Sequence, residues 1–411
     1  MVDQRNDVAA SGRPAQAREL VTRTQRMMAT DVSVHLAVEP GRIAEAHAAL
    51  AECFTWFAEV ERRLSRFKPT SELCALNRGA GAWFVASETL FTVVYVAIQE
   101  AYASDGLFNP GLLHQIETLG YDRDYSLLSR EPAAAQPSSQ PEPDQTRMAP
   151  VDAWKGVIFD SARRRIRLPA GVALDLGGIA KGWAADVAME RYCLTFPGAL
   201  VNVGGDMRLH GGPQPAHAWT VGIRDPRDPT EAQAAPDAPA RTSTEESWNR
   251  ATVMFSRGAL ATSGAARRWW RKDGVRYHHL LDPRTGKPLP LWTSDDTGRD
   301  VDRLGWEPLI TSVTALAPTG AQAEVATKVA LARGYTRAMV AVEDAWERWG
   351  AVGPRGECDA GVALIFTLSD GRVVHSANLA AWLDAWGTEE APLPMLLNTQ
   401  GVRPLGLGAL G

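Results

Sequence analysis

The sequence predicts an α+β fold built on antiparallel sheets. Short stretches that alternate apolar and polar residues are joined by hairpin-length turns, as at Asp370-Gly371. Helical stretches fall among them without a regular strand–helix–strand beat, which argues against a doubly wound parallel sheet. No internal repeat runs through the 411 residues, which argues against a solenoid or propeller.

The elements follow in order. Residues 1–25 are polar and read as a disordered leader. Asp31–Val38 alternates like a half-buried strand. Gly41–Phe67 carries Ile43, Ala46, Leu50, Phe54, Phe57, Val60 and Leu64 at helical spacing. Pro69 ends that helix, and a loop runs to Asn77. A second helix spans Ser87–Ala103, with Ser87 as its N-cap. Trp154–Leu168 reads as a hairpin, and Val172–Asp175 as a strand. Gly177-Gly178 then turns the chain into a helix that Lys181 and Gly182 open and that runs to about Tyr192. Ala199–Gly211 reads as one strand kinked at Gly204-Gly205. Trp219–Ile223 is a strand, and Thr252–Phe255 reads as paired with Ala259–Thr262. Tyr277–Gly286 closes on a turn. Ile310–Leu316 is a strand, Ala321–Ala332 a helix stopped by Gly334, and Val362–Val374 a hairpin. Insertions rich in Pro, Ala, Ser or other polar residues are expected at about 129–150, 225–250 and 292–308. The main domain spans 26–385, followed by a loosely attached tail, 386–411.

Composition narrows the function classes. Hydrophobic residues make up 45% of the chain, enough for a substantial core. A net charge of −5 argues against a nucleic-acid surface or a polybasic membrane anchor. Cys53, Cys74, Cys193 and Cys358 are scattered with no C-x-x-C pair, so buried thiols are expected rather than a zinc site or disulfide framework. No signal sequence, lipid-anchor cysteine or membrane-spanning stretch is visible, so a cytoplasmic location without an integral membrane segment is expected.

The stretch from Val172 to Asp186 holds the chemistry. A strand, a glycine turn and a helix N-terminus present backbone N–H groups to an anion. The stretch is neither a Walker A loop nor the G-x-G-x-x-G of a dinucleotide fold. By itself it reads more readily as a packing turn.

Other motifs surround it in a fixed order. Met28-Ala29-Thr30 precedes the first strand, and Leu64-Ser65-Arg66-Phe67 and Ser71–Asn77 follow the long helix. Then come Gly106–Pro110, Asp175–Asp186, Asn202–Asp206, Ala261–Gly264 and His279–Gly286. This ordered set, from about Met28 to Gly334, resembles the ApbE family of FAD:protein FMN transferases. The resemblance implies a two-part α+β structure, related to the T-fold, with FAD in a cleft between the parts. It implies cleavage of the FAD pyrophosphate, transfer of FMN to a Ser or Thr hydroxyl of a target protein, release of AMP, and help from magnesium. It also implies that members often work outside the cytoplasm at the membrane. A flavin-holding protein that has lost turnover and an FAD pyrophosphatase are the alternatives.

Site residues follow position by position. Met28, Phe67, Asn77, Leu107, Phe108, Asn109, Asp175, Lys181, Thr262, Ser263, Gly264 and His279 fall at FAD-contact positions. Taken alone, Phe67 and Phe108 read as core aromatics and Asn77 and Asn109 as turn residues. His279 is the candidate for acid–base or phosphate-positioning work, because imidazole titrates near neutrality. Lys181 and Lys328 join it as candidate catalytic groups. The metal site of the resemblance joins the backbone at Gly178 to a later helix carrying Asp and Thr four residues apart. Here that helix reads Glu324 and Lys328, with Ala321 where a further acid is usual. Residues four apart on a helix are neighbours, so Glu324 and Lys328 can pair where a metal would sit. A protonated ammonium cannot ligate a cation. The same pair is also consistent with an ordinary surface ion pair.

Overall fold

The computed structural model describes residues 17–128, 149–215, 217–226, 249–266, 268–291, 308–349 and 361–384. The expected insertions fall mostly on 129–148, 227–248 and 292–307, and with the tail they lie outside the described residues.

An eight-stranded antiparallel sheet is the backbone of the molecule. Its strands are β1 (Glu19–Met27), β2 (Thr30–Val38), β6 (Gly198–Val203), β7 (Asp206–Gly211), β10 (Arg257–Gly264), β13 (Ile310–Ala317), β14 (Ala363–Leu368) and β15 (Val373–His375), in the spatial order β1-β2-β6-β7-β10-β13-β14-β15. A three-stranded sheet is formed by β3 (Trp83–Val85), β4 (Ile158–Asp160) and β5 (Arg165–Arg167) in the order β3-β5-β4. Two hairpins complete the strands: β8 (Trp219–Arg224) with β9 (Asn249–Phe255), and β11 (Trp269–Lys272) with β12 (Val275–His278). The helices are α1 (Ile43–Leu64), α2 (Glu72–Arg78), α3 (Glu88–Ala103), α4 (Leu113–Thr118), α5 (Ala180–Ala188), α6 (Gly320–Arg333), α7 (Tyr335–Trp349) and α8 (Leu379–Asp384). The α+β class with antiparallel sheets is what the sequence predicts. Among the described residues no helix is long and apolar enough to cross a membrane.

The largest core lies where α1, α3 and α5 cover β2 and β6. Val32, Val34 and Leu36 of β2 meet Leu50, Phe54, Phe57 and Val60 of α1, all buried. Fully burying such a side chain stabilises by roughly 1.5–3 kcal/mol. A second core packs α6 and α7 on β13 and β14 through Val313, Phe366, Ala330 and Leu331. The two helix groups meet where α5 crosses α6.

Several elements differ from the reading of the sequence. Residues 19–25, expected to be disordered, are strand instead, because Glu19–Met27 pairs antiparallel with β2. Only Val21 and Met27 of this edge strand are buried, so it shows no apolar alternation. The stretch expected as a loop up to Asn77 is helix α2, capped by Ser71, which accepts from the Cys74 N–H. Val172–Asp175 pairs with no strand. The Asn77 side chain brackets Leu174 instead, donating to its carbonyl and accepting its N–H at 2.9 Å each, while the Asp175 N–H bonds the Pro110 carbonyl. Ala199–Gly211 is not one kinked strand but two, β6 and β7, joined by Gly204-Gly205 at φ 66° and 98°. Two left-handed residues make the tight hairpin turn whose twist suits antiparallel strands. The strands expected to pair with each other, 252–255 and 259–262, belong to β9, which pairs with β8, and β10, which pairs with β7 and β13.

Candidate active site

Two small residues let α5 and α6 touch backbone to backbone. A Cβ on Gly182 would lie 2.2 Å from the Gly320 carbonyl oxygen, and one on Gly320 would lie 2.5 Å from that of Gly182. Asp186, one turn along α5, accepts the N–H groups of Gly320 and Ala321 at 2.7 and 3.0 Å and faces the Arg208 guanidinium at 3.2 Å. It caps α6 from another helix, meeting N–H groups that a helix cannot satisfy internally. Burial pushes its carboxyl up to about 6, against the pull of Arg208 and the two N–H groups.

This crossing places a buried carboxylate among lysines. Glu324, on the first turns of α6, is 0% exposed. Its Oε2 accepts the Gly182 N–H at 2.8 Å. Its Oε1 accepts from Lys181 Nζ at 3.0 Å and faces Lys328 Nζ at 3.6 Å. Lys181 also pairs with Asp206, the first residue of β7, which is itself buried. The Glu324–Lys328 pair is therefore not a surface helix pair. Burial pushes Glu324 up, but the two lysines and the Gly182 N–H together hold it below the usual carboxylate range. Burial draws Lys181 down to about 8 despite Glu324, and Lys328 and Arg268 push the same way. Lys328 is lowered by burial too, against the pull of Glu324.

The glycine turn lies beside this cluster. A Cβ on Gly178 would sit 3.3 Å from the Phe108 ring and 3.5 Å from Lys328 Cε, so the loop holding Phe108, the turn and α6 meet there. Asp175 accepts the Gly177 N–H at 2.8 Å and faces Arg66 at 3.3 Å. The Arg66 guanidinium lies over both Phe67 and Tyr121, 4.1 and 4.3 Å from their ring centres. Asn109 shapes its own loop, accepting the Gly111 N–H and donating to the Val151 carbonyl. Leu107 beside it is half-buried.

His279 follows β12. Its Nδ1 lies 3.3 Å from the Arg268 carbonyl oxygen. A carbonyl only accepts, so Nδ1 carries the hydrogen and Nε2 is left as a base. Burial, Arg268, His278 and Lys328 hold its pKa well below the usual imidazole value. The same Arg268 charge acts on Lys181 and Lys328. The Arg268 charge thus reaches Lys181, Lys328 and His279, which come from three different segments.

The expected residues do not all gather there. Ser263 faces α6 and hydrogen-bonds Thr327 at 2.7 Å, and Gly264 packs against the Thr311 carbonyl. Thr262 points to the other face of β10 and bonds Thr314 across the strand pair. Met28 sits at the β1–β2 turn with φ 52°. That turn is tied to the β6–β7 turn, because Gly204 donates to the Asp31 carbonyl and packs on Thr30. Asp206, Asp186, Arg66 and Arg268 were not among the expected site residues. The acid directly after the Gly204-Gly205 turn was the visible signal for Asp206. For Arg268 the sequence offers none, since only the fold brings it to His279.

Comparison with known proteins gives one answer. Residues 28–351 match the ApbE family model. The FAD:protein FMN transferase of Treponema pallidum is 29% identical over 355 residues, covering 82% of this chain and 81% of that protein. The FAD:protein FMN transferase of Vibrio cholerae is 25% identical over 267 residues, covering 64% of this chain and 71% of that protein. In fold, the chain resembles the ApbE protein of Thermotoga maritima, with a TM-score of 0.63 at 22% identity over 89% of this chain and 99% of that one. It also resembles the Pseudomonas stutzeri flavinyl transferase ApbE, with a TM-score of 0.61 at 18% identity over 90% of this chain and 98% of the other.

Proposed function

The chain belongs to the ApbE family, and from that premise we infer that it is an FAD:protein FMN transferase, a transferase with FAD as substrate and a second protein as partner. The finer reading is that the acceptor is a Ser or Thr hydroxyl. In that reaction the hydroxyl oxygen attacks the FMN-side phosphorus of FAD. The bond from that phosphorus to the bridging oxygen breaks, and AMP leaves with the bridging oxygen. The hydroxyl proton passes to His279 Nε2.

Phosphoryl transfer asks a protein for positioning and charge rather than covalent help. The observation that carries the reading is the pair of ammonium groups, Lys181 and Lys328, held on buried Glu324, with Lys328 against the Gly178 turn. Lys328 lies against the Gly178 turn, where backbone N–H groups can approach a phosphate. Half-buried Phe67, under the Arg66 guanidinium, offers apolar surface to the rings of FAD, buried Phe108 backs the Gly178 turn, and Asp175 anchors the turn and Arg66.

The magnesium that the resemblance implies is not suited by the residues at Gly178 and Glu324. Both oxygens of Glu324 are engaged by ammonium or amide donors, and the cation nearest the turn is Lys328.

The test incubates the purified chain with FAD, with and without an acceptor protein, and follows AMP by chromatography. AMP release that requires the acceptor is expected. Free FMN and AMP without an acceptor would indicate a pyrophosphatase. FAD retained without AMP would indicate a binding protein that has lost turnover.

A further inference from the structure

The Glu324 cluster has a charge balance of its own. Glu324 and Asp206 bring two negative charges, and Lys181 and Lys328 bring two positive ones. Arg268 adds a third cation, whose charge acts on both lysines. Lys181 is tied on two sides, to Asp206 and to Glu324. Lys328 differs. Among the described residues its ammonium has Glu324 alone as a partner, at 3.6 Å, and its side chain is 21% exposed. An ammonium has three donors, so donors remain for a group arriving from solvent. Its stem lies along the Gly178 turn, held there by a carboxylate that cannot move into solvent.

A divalent cation asks for the opposite surroundings. Magnesium takes six oxygens in near-ideal octahedral geometry, usually through one or two carboxylates and a phosphate. The carboxylate in the expected place is engaged, and two ammonium groups would repel the ion.

We infer that Lys328, anchored on Glu324 and backed by Lys181 and Arg268, takes the place of a divalent cation at the FAD pyrophosphate, so that this chain binds and cleaves FAD without one. The inference rests on FAD being the substrate. Lys328 donates hydrogen bonds to a pyrophosphate oxygen and keeps its proton. As the bond between the FMN-side phosphorus and the bridging oxygen breaks, its charge faces the negative charge that gathers on the departing AMP. Lys181 holds Glu324 and Asp206 in place and thereby positions Lys328.

The test uses the full chain and three readouts. Electron paramagnetic resonance follows the uptake of manganese(II) as the probe cation. Flavin fluorescence gives the FAD affinity in chelator and in excess magnesium. AMP release in the presence of an acceptor protein is measured under both conditions. No stoichiometric manganese uptake is expected, with FAD affinity and AMP release alike in both media to within about twofold. Lys328→Met should weaken FAD binding on the order of tenfold or more, the worth of a lost charged hydrogen bond. Lys328→Arg, which keeps the charge and guards against a mere folding defect, should restore most of it. One equivalent of tightly held manganese, FAD binding that needs magnesium, or an unchanged affinity in Lys328→Met overturns the inference while leaving FAD as substrate. No FAD binding in either medium overturns both readings.

Discussion

In the proposed reaction the proton transfer depends on His279. Its Nδ1–H is committed to the Arg268 carbonyl, so Nε2 can accept only while the ring is neutral. Burial and three nearby groups, Arg268, His278 and Lys328, disfavour the charged ring. The sign follows directly: a base held well below the ordinary value of 6.5 stays neutral as pH falls through 6.5. The acid limb of kcat/KM against pH is therefore expected well below 6.5. A limb at or above 6.5 would contradict that assignment. His279→Asn should slow transfer by about 10²–10⁴-fold with little change in FAD affinity, the mark of lost acid–base work rather than lost binding. How much of the site the sequence discloses also varies residue by residue. The spacing of Glu324 and Lys328 was enough to make them neighbours. Asp206 and Arg268 come from a hairpin turn and a strand connection, and their meeting with Lys181 and His279 depends on sheet order, which local spacing does not encode.

At the scale of elements, the crossing of α5 and α6 sets the site's geometry. Gly182 and Gly320 let the two backbones touch, and Asp186 fastens the start of α6 to α5. Gly182→Ala would drive a methyl to 2.2 Å from a carbonyl oxygen that belongs to a helix start and cannot swing aside. It should cost about 1–3 kcal/mol, the usual range for overpacking, read as a lower urea midpoint. FAD affinity should fall as well, because Glu324 is held by the Gly182 N–H. An unchanged midpoint would mean that the two helices separate without cost. Long, periodic elements such as α1 and α3 were legible in the sequence because their apolar faces repeat over several turns. The edge strand β1 was not, since only two of its nine residues are buried. Gly204-Gly205 misled for a different reason: the same two residues serve a bulge inside a strand or a turn between two.

Across the whole molecule, one antiparallel sheet carries a helix group at each end of its strand order, and the site lies where the groups meet. The class was legible because turn signals and alternation are local. The pairing was not: β10 lies between β7 and β13, and β9 pairs with β8, partners far apart or reordered in the chain. The tips of the β1–β2 and β6–β7 hairpins are locked together by Gly204 against Thr30. Gly204→Val should therefore disturb Met28 and Asp206 at once. A Cβ there would meet Thr30 Oγ1 at 2.2 Å, and φ 66° strains a branched residue. A loss of about 2 kcal/mol or more in thermal or urea unfolding is expected, with weaker FAD binding. In the proposed reaction this assembly moves FMN from FAD to a hydroxyl of another protein. Intact-mass spectrometry of an acceptor protein after incubation with the chain and FAD tests it most directly. A gain of one FMN phosphoester is expected, localised to a Ser or Thr by fragmentation and matched by one AMP. An acceptor of unchanged mass while FAD is consumed would contradict it.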